Sequence, residues 1–146
     1  MAININKYTA EANRFVNEVA AELGDTSDLA AAGRVTVAVF HTLREKLSVE
    51  ESFHLLAQLP TILKGVYIDG WDPTKSTSNT DSVQDFIDEL RAHDIRAAAR
   101  DFGDEEQAVR NFQSVIRVLS HYVSEGEMRH IRQQLPRPVA ELFETW

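Results

Sequence analysis

Cysteine is missing altogether from the 146 residues. That excludes disulfides, thiolate nucleophiles and cysteine-ligated metals. The six glycines are scattered along the chain, so no Walker or dinucleotide phosphate-binding loop is written. An excess of positive charge is missing too. The net charge is −8, with nine acids against six bases over residues 1–71 and fourteen against nine beyond. Nucleic-acid binding works largely by neutralising phosphates with Lys and Arg, so nucleic acid is not an expected partner. The longest aliphatic run, VTVAVF at 35–40, falls far short of the roughly 20 residues of a membrane span. The opening MAININKYTAEANRF lacks the basic-then-apolar order of a signal peptide. The expectation is a soluble protein of a reducing cytoplasm with no membrane partner.

What is present is an ordinary globular composition, 43% hydrophobic and 26% charged. A chain of this length buries about 68–70% of its unfolded surface, enough for a real core. The chain also repeats itself. Sliding it by 76 residues aligns 28–69 with 104–145, with eleven identities in 42 positions. Among them are Asp28/Asp104, Arg34/Arg110, Ser48/Ser124, Glu51/Glu127, His54/His130, Gln58/Gln134 and Pro60/Pro136, and Tyr67 aligns with Phe143.

Several of these pairs have a structural task. SVEE at 48–51 and SEGE at 124–127 are Ser-x-x-Glu capping boxes, each opening a helix. Asp28 and Asp104 precede long segments with apolar residues at helical spacing, each about 20 residues, where an N-cap is wanted. Pro60 and Pro136 end the capped helices near Gln58 and Gln134 and start shorter ones. Upstream, FVNEVAAEL (15–23) matches FIDELRAHD (86–94) at a shift of 71. Thr9 and Gly24 read as the start and stop of the first of these helices, and Asp81-x-x-Gln84 as a capping box for the second. DPTKSTSNTDS (72–82) holds no apolar residue and reads as linker. The expected fold is all-α: two tandem four-helix repeats packed around a pseudo-twofold axis into one compact unit. Residues 9–71 form the first repeat, 72–80 the linker and 81–146 the second, so that 1–146 is a single structural unit.

The stretch AQLPTILKGVYIDGWDP, preceded by LREKLSVEE, resembles a bacterial family of small helical proteins, domain of unknown function 2267. Thr42, Leu43, Arg44, Leu47, Glu50, Glu51, Ala57, Gln58, Leu59, Pro60, Leu63, Gly65, Tyr67, Gly70 and Trp71 occupy the positions of its pattern. Lys64 stands for its usual arginine and Ile68 for its second aromatic, while Pro138 departs from it and is expected to shorten the last helix. The resemblance implies a duplicated all-α architecture in a soluble bacterial protein and brings no catalytic residues.

Chemistry is sparse. Both copies contain Glu-x-x-His, Glu51/His54 and Glu127/His130, and the preceding helices carry Glu18 and Glu89 at matching places. Two such pairs plus two lone glutamates are the ligand inventory of a dinuclear iron or manganese carboxylate bundle. The capping boxes compete, since they turn Glu51 and Glu127 back onto Ser48 and Ser124, and capping is the expected role. No cofactor is expected on that reading. Asp69 and Asp72 lack EF-hand spacing, and His41, His93 and His121 have no serine or acid at triad-like intervals. Tyr67, Trp71, Phe143 and Trp146 are expected mainly as core pieces, and as partner anchors where exposed. The functional expectation is a non-enzymatic module that binds a protein partner or self-associates as a homodimer. A metal-binding bundle and a binder of a small apolar ligand between the halves are the alternatives.

Overall fold

The computed structural model describes residues 2–143, and all regular structure among them is helical. α1 (Ile5–Leu23) begins earlier than Thr9, because the Asn4 side chain accepts from the Lys7 N–H and caps it there. Gly24, at φ 91°, closes it. The amides of Gly24 and Asp25 turn back to the carbonyls of Ala21 and Ala20, a left-handed exit that a Cβ would strain.

α2 (Leu29–Arg44) and α7 (Glu105–Leu119) start as expected, their first-turn amides bound by Asp28 and Asp104. At 16 and 15 residues they are shorter than their apolar stripes, which continue into the following turns through buried Leu47 and Val123. α3 (Val49–Gln58) and α8 (Glu125–Gln134) stop at the prolines. α4 (Thr61–Ile68) follows Pro60, whereas α9 (Arg137–Ala140) is a single turn with Pro138 among its first positions, where a proline's missing amide removes no helical hydrogen bond. α5 (Val83–Ala92) is capped by Ser82, not Asp81; Asp81 instead accepts from the Asn79 side chain. One element was not expected. α6 (Ala98–Asp101) is an extra turn in the second half of the chain, where that half carries its additional residues.

α1 lies on α2, α4 and α7; α2 also touches α4, α5 and α7; α3 meets α8. The buried side chains form one continuous cluster drawn from both halves of the chain. Phe15 of α1, fully buried, stands 5.1 Å ring to ring from Tyr122 just beyond α7. The segment after α4 is tied down by Lys46, whose buried ammonium reaches Glu89 and the Ser78 hydroxyl, each at 2.6 Å. No helix among the described residues is long and apolar enough to cross a membrane.

The caps make a first prediction. Ser48→Ala and Ser124→Ala each lose a side-chain acceptor at a helix start and should lower stability by about 1 kcal/mol. Urea titration followed by circular dichroism checks this, and a shift below a few tenths would contradict it.

Candidate functional site

α3 and α8 begin with the same serine cap. Ser48 Oγ accepts from the Glu51 N–H at 3.1 Å, and Ser124 Oγ from the Glu127 N–H at 3.2 Å. In a closed capping box each glutamate would also accept from its serine's own amide. Here glutamines take that place. The Ser48 N–H donates to Gln134 Oε1 at 3.1 Å and the Ser124 N–H to Gln58 Oε1 at 2.7 Å. Each helix start is thus completed by the last residue of the other helix, so α3 and α8 run antiparallel.

The exchange releases Glu51 and Glu127 into the contact between the two helices, where they are only 5% and 7% exposed. Gln134 Nε2 donates to Glu51 Oε2 at 3.4 Å, while Oε1 of each glutamate has no hydrogen-bond partner. Burial, then a hydrogen bond to Glu51 and its charge, push the Glu127 carboxyl up to about 7. The histidines stand at the rim. His54 Nδ1 is 3.7 Å from Glu51 Oε2 and His130 Nδ1 is 4.0 Å from Glu127 Oε2, with both imidazoles more than half exposed. Among the described residues, Glu51, Glu127 and His130 each bring a ligand atom within 4.8 Å of the others.

The other two glutamates of the expected metal set are engaged elsewhere. Glu18 accepts from Arg14 at 3.2 Å and from the Tyr122 hydroxyl at 3.1 Å. Glu89 binds Lys46 and accepts from the Thr80 hydroxyl. The six residues are therefore not brought to one place; Glu51, Glu127 and His130 meet where α3 crosses α8, with His54 beside Glu51.

The outer face of α3 is different in kind. Val49 and Phe53, one turn apart, are exposed, Phe53 to 59%. The Phe53 ring lies edge-on to Trp71 at 6.0 Å, and Trp71 rests on Tyr67 at 6.1 Å. Gly70, at φ 70°, provides the left-handed turn that swings Trp71 back. Arg44 donates to the carbonyls of Tyr67 and Asp69 at 2.7 and 2.6 Å, which fixes that turn. Of the expected partner anchors, Trp71 is half-buried at the edge of the core, whereas Tyr67 and Phe143 are buried. Trp146 lies outside the described residues. The Tyr67 hydroxyl bonds Ser52 at 2.7 Å, and burial raises its pKa to about 12. At the aligned positions Phe143 and Met128 replace that polar pair with apolar side chains.

A family model described as an uncharacterized conserved protein, DUF2267, matches residues 12–142. The chain belongs to the DUF2267 family. No curated protein matches it. The match takes in both α3 and α8, so the carboxylate pair and the Phe53–Trp71 edge fall inside the DUF2267 region.

Elsewhere in the DUF2267 chain, histidines serve the fold: His41 Nε2 lies 2.8 Å from the Val66 carbonyl and His93 Nε2 2.7 Å from Glu45. A cleft of about 480 Å³ opens between α1, α2 and α7, but Glu22, Asp25, Arg100, Arg110 and Arg117 are among its lining side chains. That lining is polar, unlike the apolar pocket between the halves considered from sequence. Sequence reasoning missed Phe53 and the glutamine exchange. Phe53 was findable, because it stands off the inward stripe of Ser52, Leu55 and Leu56 and aligns with Arg129.

Proposed function

We propose that this DUF2267 protein is a non-enzymatic interaction module of the bacterial cytoplasm. In this reading the chain is two copies, the first built on α1–α4 and the second on α5, α7, α8 and α9 with α6 as an added turn, joined by 72–80 and facing each other about a pseudo-twofold axis as one unit. The reciprocal bonds of Gln58 and Gln134 support that symmetry, because equivalent residues do the same work in opposite directions. The working surface is the outer face of α3 with Trp71, and its occupant is an amphipathic helix of a partner protein bearing basic residues.

One observation carries the reading. The positions of Val49 and Phe53 in the first copy hold Glu125 and Arg129 in the second. The aligned site of the second copy tolerates charge, and in the first the protein's own packing engages Phe53 only through its edge contact with Trp71. Leaving a large aromatic in water forgoes the burial that a partner would restore. Charge selects the partner: Glu50, Asp69 and Asp72 are exposed around the apolar edge, outnumbering Lys75 and an Arg44 that is engaged by the Tyr67 and Asp69 carbonyls, on a chain of net charge −8.

Calorimetric titration of the full chain with a designed Leu/Lys amphipathic helical peptide tests this. Binding weakened by salt, and weakened about tenfold or more by Phe53→Glu (a loss of about 1.4 kcal/mol or more), is expected. Equal binding of a Leu/Glu peptide, or no effect of Phe53→Glu, would contradict it. So would a stable dimer of the free protein that Phe53→Glu dissociates, since the occupant would then be a second copy.

A further inference from the structure

Glu51 and Glu127 face each other across α3 and α8, both more than nine-tenths buried, and Oε1 of each has no hydrogen-bond partner. Among the described residues neither is paired with lysine or arginine. A desolvated carboxylate is costly unless a proton or a positive charge compensates it, and the hydrogen bond the two carboxyls share neutralises only one of them. The nitrogen donors at hand are imidazoles. His130 brings an atom within 4.8 Å of both carboxylates, and His54 Nδ1 lies 3.7 Å from Glu51 Oε2.

We propose that Glu51, Glu127 and His130 form a binding site for one divalent transition-metal ion, with zinc the best match and the fourth position left to water. The donor set decides the class. Two carboxylates and an imidazole suit zinc and its first-row neighbours, whereas calcium and magnesium prefer oxygen alone. Two glutamate charges balance one dication within a largely buried contact. Tetrahedral zinc with bonds of about 2.0–2.2 Å needs ligand atoms about 3.4 Å apart. These three donors, within 4.8 Å of one another, must therefore close by roughly an ångström, and the exposed His130 imidazole has the freedom to do so. Gln134 Nε2, 3.4 Å from Glu51 Oε2, is placed to hold the carboxylate's second oxygen while the first binds metal.

The site is mononuclear. Glu18 and Glu89, which a dinuclear centre would require, are held by Arg14 and Tyr122 and by Lys46 and Thr80. The ion would bridge α3 to α8, and so staple the first half of the chain to the second.

The test uses the untagged full chain, stripped with chelator and then given zinc alone. Expected are one zinc per chain after desalting, a raised thermal midpoint, and a nitrogen/oxygen-only shell near 2.0–2.1 Å by X-ray absorption. Magnesium should change nothing. Glu51→Gln/Glu127→Gln should abolish retention and the thermal shift. Should that variant fail to fold, His130→Ala removes one exposed side chain and must also lose the stoichiometric zinc. Full retention by the histidine variant, the same midpoint shift with magnesium, or only trace zinc on the wild-type chain would overturn the proposal.

Discussion

Arg34→Met is expected to lower stability by about 3 kcal/mol at neutral pH, the low end for breaking a buried ion pair because Arg34 is partly exposed. The guanidinium grips Asp101 through Nε at 2.9 Å and Nη2 at 3.1 Å, with the Asp101 side chain only 2% exposed. Methionine would fill much of the space and leave that carboxylate buried without its paired guanidinium. Because Arg34 is on α2 and Asp101 on α6, the loss would also loosen the extra turn of the second half. In a domain of this size the thermal midpoint should fall by roughly 6–12 °C.

The pH dependence has a definite sign. Burial pushes Asp101 up, but its bonds to Arg34 outweigh this and hold the carboxyl below its ordinary 3.8. The stability that the pair adds is present above that value and is lost as pH falls through the lowered one, so the Arg34→Met penalty should shrink in acid. Asp94, its neighbour, goes the other way. Burial and the hydrogen bond it shares with Asp101 raise it to about 7, with Arg34 opposing. A raised carboxyl stabilises the fold at low pH and loses that contribution between about 4 and 7. Asp94→Asn keeps a neutral donor beside Asp101, so it should gain on the wild type across that window. The other charges facing this cluster are Arg100, beside Asp101, and Asp28, beside Arg34. Urea midpoints at pH 3, 5 and 8 read both effects; an Arg34→Met penalty independent of pH would contradict the assignment.

Phe15→Ala should be costlier still, about 3–5 kcal/mol, a large share of the 5–15 kcal/mol usual for a domain. Phe15 is fully buried, edge-on to Phe40 at 6.0 Å and 5.1 Å from Tyr122. Its removal opens a cavity where α1 meets α2 and the end of α7. It also unseats Tyr122, whose hydroxyl holds Glu18. Phe53→Ala provides the contrast: that ring is exposed, and its truncation should move the midpoint little. A small loss for Phe15→Ala with an unchanged urea slope would mean the site collapses around the gap.

Local chemistry was readable in the sequence, and tertiary chemistry was not. Asp28, Ser48, Asp104 and Ser124 cap helices because a cap needs only amides three residues away. The prolines ended α3 and α8 for the same reason. Where two caps lay side by side, the register slipped: Ser82 won over Asp81. The start of α1 was hidden because Ile3 and Ile5 are exposed and follow no core stripe. Identity across the repeat also misled. Arg34 and Arg110 align, yet one grips buried Asp101 and the other pairs at the surface with Glu106. At the candidate site, Gln58, Gln134, Glu51 and Glu127 were all visible as matched pairs. Which of them completed the caps depended on how α3 crosses α8, and that crossing turned two structural glutamates into a buried pair.

The account depends on two helical copies sharing one interior. Scanning calorimetry of the full chain, with Leu55→Ala in α3 and Ile131→Ala at the aligned position in α8, tests this most directly. The prediction is one transition, with calorimetric and van't Hoff enthalpies equal, that both substitutions move to lower temperature. Two transitions, each shifted by only one of the substitutions, would contradict it.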